Sequence, residues 1–382
     1  MYEVETSVMK SMVLTAFFGL AACGGGSESM ITPPAPVATV QGTPIPDAPE
    51  IPSTCTTCLG SNRIASHAII FTGMPAATKE LLASAAASSH SGMIRLDLTW
   101  VSVQPAFPEV YDWRWVDESV RAAKKNNLEI LALVAETPQW ASSKPDDPSF
   151  RSYPPKAEYW VKWEAFIKAF VDRYGAKGTS EIHHWEIWGE ANDDGQWLGT
   201  AAEYAQLYSL AYKSIKASDP TAQVLMAGLN ESKMPQWLNA VLTDGSFPAK
   251  NKIDIIDVHI RGSFARVKDL AAGAKEVFRL QGVVNKPIWI TEFGFPSSPT
   301  FQREWNSDFI GATEGDGEQK QADYYDTVVP WLLTEGGIDK LFVTLRDIDA
   351  PNTPWESEGL VTQEATPKIA FNVIKGLADR YR

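Results

Sequence analysis

The chain has 382 residues, of which 44% are apolar, so it is long enough to bury one large α/β core. Its formal net charge is −13. Electrostatic repulsion therefore excludes nucleic acid and anionic membrane surfaces as main binding partners.

The N-terminal segment has the pattern of a secretory signal. An apolar stretch from Met12 to Leu20 is too short to span a bilayer and is followed by small residues. The segment ends in LAAC, which resembles a bacterial lipoprotein box whose cysteine is lipidated. This resemblance implies a signal peptide over residues 1–23, lipidation at Cys23, and an outer-membrane location, because Gly24 replaces an inner-membrane retention aspartate. An ordinary cleaved signal and a secreted protein are the alternative.

Residues 24–59 predict a flexible Pro-rich linker, because seven prolines between Gly24 and Pro52 lie among small residues without any hydrophobic period. Near its end, Cys55 and Cys58 form a CTTC motif, and an oxidising compartment favours a local disulfide between them. A redox-active pair would need the N-terminus of a helix to stabilise its thiolate, and the flanking residues offer none.

Beyond residue 60, short apolar runs bounded by polar, Gly or Pro positions alternate with amphipathic stretches. The runs predict eight strands: Ala68–Phe71, Met93–Leu98, Ile130–Val134, Ile182–Trp188, Val224–Ala227, Ile253–Val258, Ile288–Thr291 and Leu341–Thr344. The clearest helix has apolar residues at helical spacing from Trp163 to Tyr174 and stops at Gly175. A last helix is predicted to start at Pro367.

Eight strands, each followed by a helix, predict a (β/α)8 TIM barrel over residues 60–382. An open doubly wound sheet is the alternative, but no Gly-rich phosphate loop follows any predicted strand. Glu190 and Glu292 end the fourth and seventh predicted strands. Because all strands of such a barrel run in parallel, both acids should emerge at the same end of it.

At this point the chain resembles the retaining glycoside hydrolases of clan A, most closely family 39 and its exopolysaccharide-cleaving relatives, with family 5 more distant. Nearly the whole predicted barrel shares the resemblance. The segments that carry it are RLDLTW (95–100), VYDWRWVD (110–117), ETPQWAS (136–142), WEIWGEAND (185–193), DVHI (257–260), WITEFGF (289–295) and GLVTQEATPKIAF (359–371).

The resemblance implies a double displacement in which Glu190 is the general acid/base and Glu292 the nucleophile. Arg95 is the expected cation beside Glu292, and His259 is expected near the acid/base or the substrate. For Arg95 the structural alternative is a rim ion pair with Asp97, and for His259 a hydrogen-bonded rim residue without a catalytic part.

Three positions depart from the clan pattern. Gly189 stands where an asparagine normally holds the sugar 2-hydroxyl, and Asn192 is a replacement only if its loop folds back. Arg261 stands where family 5 has an aromatic hydroxyl, and its guanidinium could hold Glu292 ionised. The platform tryptophan of strand eight is absent, since the run VTLRDID places Leu345 and Arg346 there.

Trp140 and Trp188 are the main candidates for stacking on a sugar ring, with barrel packing as the alternative for Trp188. A metal site built from His183, His184, Glu186, Glu190 and His259 is also conceivable. Adjacent residues of a strand point to opposite faces, so at most one of the two neighbouring histidines could join it, and we expect neither metal nor cofactor.

The sequence therefore predicts a monomeric, lipid-anchored retaining glycosidase that cleaves O-glycosidic bonds of a polysaccharide or oligosaccharide and meets the membrane only through its anchor. A catalytically degenerate barrel that binds polysaccharide is the second hypothesis, motivated by Gly189 and the missing tryptophan. An acidic scaffold lipoprotein is the third.

Overall fold

The computed structural model describes residues 62–71, 73–106, 110–178, 180–230, 233–245, 250–305 and 317–382. The signal peptide, the linker, the lipidation site Cys23 and the cysteine pair Cys55 and Cys58 lie outside the described residues. Among the described helices, none has both the length and the apolar character that crossing a membrane requires.

Eight parallel strands form one sheet in the order β5-β4-β3-β2-β1-β8-β7-β6. They are β1 Ile64–His67, β2 Met93–Asp97, β3 Glu129–Val134, β4 His184–Gly189, β5 Gln223–Gly228, β6 Ile256–His259, β7 Ile288–Phe293 and β8 Lys340–Thr344. Parallel bridges from Leu225 to Ile255 and from Leu229 to Val258 join the two edge strands and close the ring. The predicted (β/α)8 barrel is confirmed.

Helices flank the strands. They are α1 Ala76–Ser88, α2 Trp100–Val103, α3 Arg114–Lys125, α4 Trp160–Tyr174, α5 Ala201–Ser218, α6 Met234–Leu242, α7 Phe264–Leu280, α8 Pro299–Trp305, α9 Gly317–Thr334 and α10 Ile369–Arg380. As predicted, α4 buries the stripe from Trp163 to Tyr174 and ends at Gly175. The last helix begins two residues after the predicted Pro367, with Lys368 as its N-cap.

The prediction of the first strand was wrong. The structure places β1 at Ile64–His67 rather than at Ala68–Phe71, and Ile69 adopts a left-handed φ of 51° that ends the extended backbone. The actual strand carries Ser66 and His67, which are buried and hydrogen-bonded to Ser91 and Arg95. Buried polar residues with hydrogen-bond partners thus hid this strand from a search for apolar runs.

Two apolar layers hold the barrel. A small cluster combines buried side chains from six of the strands, with one from the residue just before β6: Ala65, Met93, Leu131, Leu225, Ile255, Trp289 and Phe342. A larger cluster packs the outer faces of the strands against the helices. Polar side chains instead gather around the carboxyl ends of the strands, where the candidate site lies.

Candidate active site

Glu190 and Glu292 lie together at the carboxyl end of the barrel. Glu190 follows β4, where its backbone N–H donates to the carbonyl oxygen of Gly228 at 3.1 Å, and Glu292 lies within β7. One carboxylate oxygen of each and a ring nitrogen of His259 all lie within 4.8 Å of one another. Both carboxylates are mostly buried, with 15% and 21% of their side chains exposed.

His259 at the end of β6 joins the two acids. Its Nδ1 lies 3.0 Å from Oε1 of Glu190 and 3.7 Å from Oε2 of Glu292. On the other side of the ring, Nε2 lies 3.1 Å from Oγ1 of Thr291. The His259 side chain is 1% exposed, so it is a buried connector between the acids and the barrel interior.

Two guanidinium groups hold Glu292. Arg95 donates from Nη1 to Oε1 at 3.0 Å, and Arg261 donates from Nη2 to Oε2 at 3.1 Å. Burial alone would raise the pKa of Glu292, but neighbouring positive charges, among them those of Arg95 and Arg261, lower it well below its usual range. Glu292 is therefore a carboxylate that stays ionised although it is shielded from water.

Arg95 is wholly buried and divides its donors between three partners. Its Nε and Nη2 donate to Glu186 at 2.6 and 2.8 Å, and Nη1 also faces Nε2 of His67 at 3.0 Å. Because a guanidinium cannot accept, His67 carries its ring proton on Nδ1. The expected alternative partner, Asp97, lies farther away at 3.7 Å. Arg95 therefore links Glu292 to the buried carboxylate of Glu186.

Arg261 forms a second buried link. Besides Glu292, its Nε lies 3.3 Å from Oε1 of Glu358, a carboxylate with no exposed surface. Burial raises the pKa of Glu358, and Arg261 acts against that shift. Glycine is required at position 294, since a Cβ there would lie 2.3 Å from Oε2 of Glu358.

The backbone is strained at the end of β4 and at Glu190, which follows it. Trp188 and Glu190 have left-handed φ values of 71° and 43°, a conformation that costs an L residue about 1 kcal/mol or more and often occurs at functional sites. Gly189 lies between them, and a Cβ on it would be 3.7 Å from Nη2 of Arg95, an ordinary contact. A side chain at position 189 would therefore begin in van der Waals contact with Arg95 and without a clash.

The expectation that Trp188 stacks on a sugar was wrong. Its side chain is 3% exposed, packs edge-on against Trp197 and donates from Nε1 to the carbonyl oxygen of Gln196 at 3.0 Å. The left-handed backbone at Trp188 breaks the strand alternation that would have placed the ring beside Glu190. Trp188 therefore packs in the protein interior, which was the alternative for this residue.

Asn192 and Trp140 have defined positions in the loops. The amide nitrogen of Asn192 donates to the carbonyl and side-chain oxygens of Asn230 at 2.9 and 3.2 Å, so it is committed to loop structure rather than to a substrate hydroxyl. Trp140 is half-buried, donates to the carbonyl oxygen of Gln104 and keeps part of its ring exposed. It remains the stacking candidate.

Sequence reasoning missed two buried polar residues behind the acids, Asp257 and Thr291, and considered the buried Glu186 only as a possible metal ligand. A signal did exist, because Glu186 interrupts an apolar strand and Asp257 lies two residues before His259, on the same strand face. Thr291 gave no such signal. The β6–β7 ladder shifts register at Val258/His259, so Thr291 and its neighbour Glu292 both contact groups inside the barrel.

Glu190, His259 and Glu292 together offer three possible metal ligands. The donor set fits a divalent cation poorly, because both oxygens of Glu292 already accept from guanidinium groups whose positive charge opposes a second cation. His183 and His184 are elsewhere: the first faces Asp219, and the second packs on Trp289.

Comparison with known proteins supports the resemblance seen in the sequence. A family model described as the glycosyl hydrolase catalytic core matches residues 188–365. No curated protein sequence matches the chain.

The fold matches solved structures of glycoside hydrolases. A family 39 glycoside hydrolase from Bacteroides cellulosilyticus WH2 aligns with a TM-score of 0.61 at 16% identity, covering 83% of this chain and 63% of its own. The family 39 enzyme of Xanthomonas axonopodis pv. citri aligns with a TM-score of 0.62 at 18% identity, covering 85% of this chain and 67% of its own. A monomeric β-xylosidase of Caulobacter crescentus CB15 aligns with a TM-score of 0.60 at 17% identity, covering 84% of this chain and 68% of its own. The chain thus spans about two thirds of the length of these proteins and shares their fold, and its residues 188–365 match the model of a glycosyl hydrolase catalytic core.

Proposed function

We propose that this glycosyl hydrolase core is a retaining glycosidase that cleaves O-glycosidic bonds of a polysaccharide by double displacement. The separation of the two carboxylates carries the proposal, since oxygens of Glu190 and Glu292 approach within 4.8 Å. Retaining enzymes hold their two carboxyl groups about 5 to 5.5 Å apart, whereas inverting enzymes need about 6.5 Å or more to admit a water molecule between acid and sugar.

Glu292 suits the role of nucleophile. Its pKa is lowered well below the usual range, so the carboxylate is ionised at neutral pH and can attack the anomeric carbon to form a glycosyl-enzyme ester. Arg95 and Arg261 fix both of its oxygens, and this orients the attacking lone pair.

Glu190 suits the role of acid/base. It would protonate the leaving oxygen in the first step and, as a carboxylate, would remove a proton from water in the second. The ring of His259 lies 3.0 Å from Oε1 of Glu190, which orients the carboxyl group for this proton transfer.

The substrate is proposed to be a polysaccharide, with Trp140 as a stacking surface. Similar structures include proteins described as a β-xylosidase and an exo-β-1,4-mannosidase, which supports action on a glycosidic bond without identifying the sugar. Double displacement by two carboxyl groups uses side chains alone, so we propose that the reaction needs no cofactor.

The test is product analysis with purified protein on a panel of bacterial exopolysaccharides and plant glucans, with detection of new reducing ends. We expect release by the wild type and by Glu335→Gln, an exposed control outside the site. Glu190→Gln and Glu292→Gln should each lose at least about 1,000-fold in rate, since either removes a participant in the chemistry. Unchanged cleavage by Glu292→Gln would remove the nucleophile assignment.

A degenerate barrel that binds polysaccharide without cutting it is the second candidate, and Gly189 favours it. Losing a hydrogen bond to the sugar 2-hydroxyl would cost several kcal/mol in the transition state, and the amide nitrogen of Asn192 is turned to Asn230 instead. Binding without product release by the wild type would support this candidate. Products that disappear in Glu190→Gln would eliminate it.

We also propose that the protein is anchored in the cell envelope through lipidated Cys23, with outer-membrane placement favoured and secretion as the alternative. The LAAC motif and the Pro-rich linker that follows support this proposal. Cys23→Ser should move the protein from the membrane fraction to the soluble fraction. Recovery of the wild type without an acyl modification on Cys23, measured by mass spectrometry, would overturn it.

A further inference from the structure

A chain of buried hydrogen bonds runs from the barrel interior to Glu190. Oγ1 of Thr291 lies 2.9 and 3.0 Å from the two carboxyl oxygens of Asp257 and 3.1 Å from Nε2 of His259. Nδ1 of His259 lies 3.0 Å from Oε1 of Glu190. Asp257, Thr291 and the His259 side chain are each at most 1% exposed, so bulk water does not separate the links.

The donor and acceptor roles in this series of hydrogen bonds are restricted, because the hydroxyl of Thr291 has one hydrogen to donate. If Thr291 donates to Asp257, it cannot donate to His259, and Nε2 of the ring must carry a proton. If Thr291 donates to Nε2 of His259, the contact with Asp257 requires a proton on Asp257 instead. The protonation state of Asp257 and the tautomer of His259 are therefore coupled through one hydroxyl.

The surroundings of Asp257 favour its neutral form. Within the described residues, the hydroxyl of Thr291 is its only recorded hydrogen-bond partner, and one donor compensates a buried carboxylate poorly. The charged groups that face it are Glu186 from β4, Arg95 from β2 and Glu292 from β7. Burial, followed by the charge of Glu186, raises the pKa of Asp257 well above its usual range, although Arg95 and Thr291 oppose the shift.

The packing around His259 holds its ring in this orientation. Glycine at position 228 is necessary, because a Cβ there would lie 2.1 Å from Nε2 of His259. The ring therefore rests against the backbone of β5, with Nε2 directed at Thr291 and Nδ1 at Glu190.

We propose that protonated Asp257 fixes neutral His259 as its Nδ1–H tautomer through Thr291, so that His259 always donates to Oε1 of Glu190. Asp257 donates to Oγ1 of Thr291, Thr291 donates to Nε2 of His259, and Nδ1–H donates to Glu190. When Glu190 is protonated, its proton then resides on Oε2 rather than on Oε1.

This arrangement serves both halves of the proposed glycosidase reaction, on which its catalytic meaning rests. In the first half, Glu190 gives its proton to the glycosidic oxygen while the bond from carbon to that oxygen breaks and Glu292 bonds to the carbon. In the second half, Glu190 takes a proton from water as the hydroxyl displaces Glu292. His259 gives up no proton in either half. The opposite tautomer would present a lone pair to Glu190 and attract the proton that the substrate needs.

The test is ¹⁵N NMR of histidine-labelled full chain between pH 6 and pH 8, with the His259 signal assigned from a His259→Gln sample. The chain has five histidines, so the spectrum is simple. Long-range ¹H–¹⁵N couplings distinguish the two neutral tautomers from the imidazolium. We expect the Nδ1–H tautomer in the wild type, in Thr291→Ser, which keeps the hydroxyl, and in Asp257→Asn, whose amide can donate like the protonated acid.

Thr291→Val removes the hydroxyl at nearly constant volume and should shift His259 toward the Nε2–H tautomer or a mixture. An Nε2–H tautomer or an imidazolium in the wild type at pH 7 would overturn the proposal, as would an unchanged signal in Thr291→Val. If Thr291→Val does not fold, a changed tautomer in Asp257→Asn would overturn it equally. Because the spectrum needs no substrate, this result is independent of whether the protein cleaves polysaccharide.

Discussion

The buried pair of Arg261 and Glu358 gives a sharp test of how the site is held together. Arg261 is 18% exposed and Glu358 has no exposed surface, and their closest side-chain atoms are 3.3 Å apart. Removing one partner of a buried pair costs about 3 to 5 kcal/mol because an uncompensated charge remains. In Arg261→Met, the hydroxyl of Thr344 at 3.4 Å would be the side-chain partner that remains to Glu358 among the described residues. We therefore expect a loss of about 3 kcal/mol in the free energy of unfolding at pH 7.

A second substitution should reverse much of that loss. Adding Glu358→Gln to Arg261→Met removes the orphaned charge and should recover about 2 kcal/mol. Lowering the pH should also reduce the defect of Arg261→Met, because the pKa of Glu358 is already raised and the acid can take up a proton. Urea unfolding followed by tryptophan fluorescence measures both effects.

An exposed pair provides the control for this cycle. Arg114 and Asp112 form an ion pair in which the arginine side chain is 80% exposed, and Arg114→Met should change stability little. If the double variant of Arg261 and Glu358 were as unstable as Arg261→Met alone, the account of a charge-compensated site would be refuted.

Three further predictions concern buried groups. Burial lowers the pKa of Lys340 to about 8, so charging this lysine destabilises the folded state at pH 7. Lys340→Met should therefore increase the free energy of unfolding at pH 7 by on the order of 1 kcal/mol. Urea unfolding should show this gain fading between about pH 8 and 10.5. Burial lowers the pKa of His184 to about 4, so protonation of this histidine destabilises the folded state. As the pH falls from about 6.5 to 4, the free energy of unfolding of the wild type should drop by on the order of 2 kcal/mol relative to that of His184→Gln. An equal pH dependence of both proteins would contradict this prediction. Gly228→Ala should displace His259 and lower kcat at least about 10-fold with a small change in KM, whereas full activity would show that the ring has room to move.

The barrel and the proximity of Glu190 to Glu292 could both be predicted from the pattern of apolar strands in the sequence. Both acids end apolar strands, and parallel strands place their carboxyl ends on one face. The meeting of the two acids is a consequence of strand periodicity, which a sequence displays directly. Arg95 and His259 were instead expected from the resemblance to the clan A glycoside hydrolases, and the ladder between β6 and β7 shifts register at His259.

Local backbone geometry set the limit of prediction. Trp188 was named as a stacking candidate because the sequence around it does not reveal its left-handed φ of 71°. Thr291 was missed because a register shift, rather than strand alternation, brings it to Asp257 and His259. The first strand was misplaced because Ser66 and His67 are polar but buried, with hydrogen-bond partners in Ser91 and Arg95. In each case a local irregularity or a polar pair overrode the simple pattern.

The central claim is that Glu190 and Glu292 act on one anomeric carbon from within a single short gap. Time-resolved ¹H NMR of the first sugar released from a substrate found in the panel tests it most directly, before the product equilibrates in solution. The account predicts that the new reducing end has the same anomeric configuration as the bond that was cleaved. An inverted first product would contradict it.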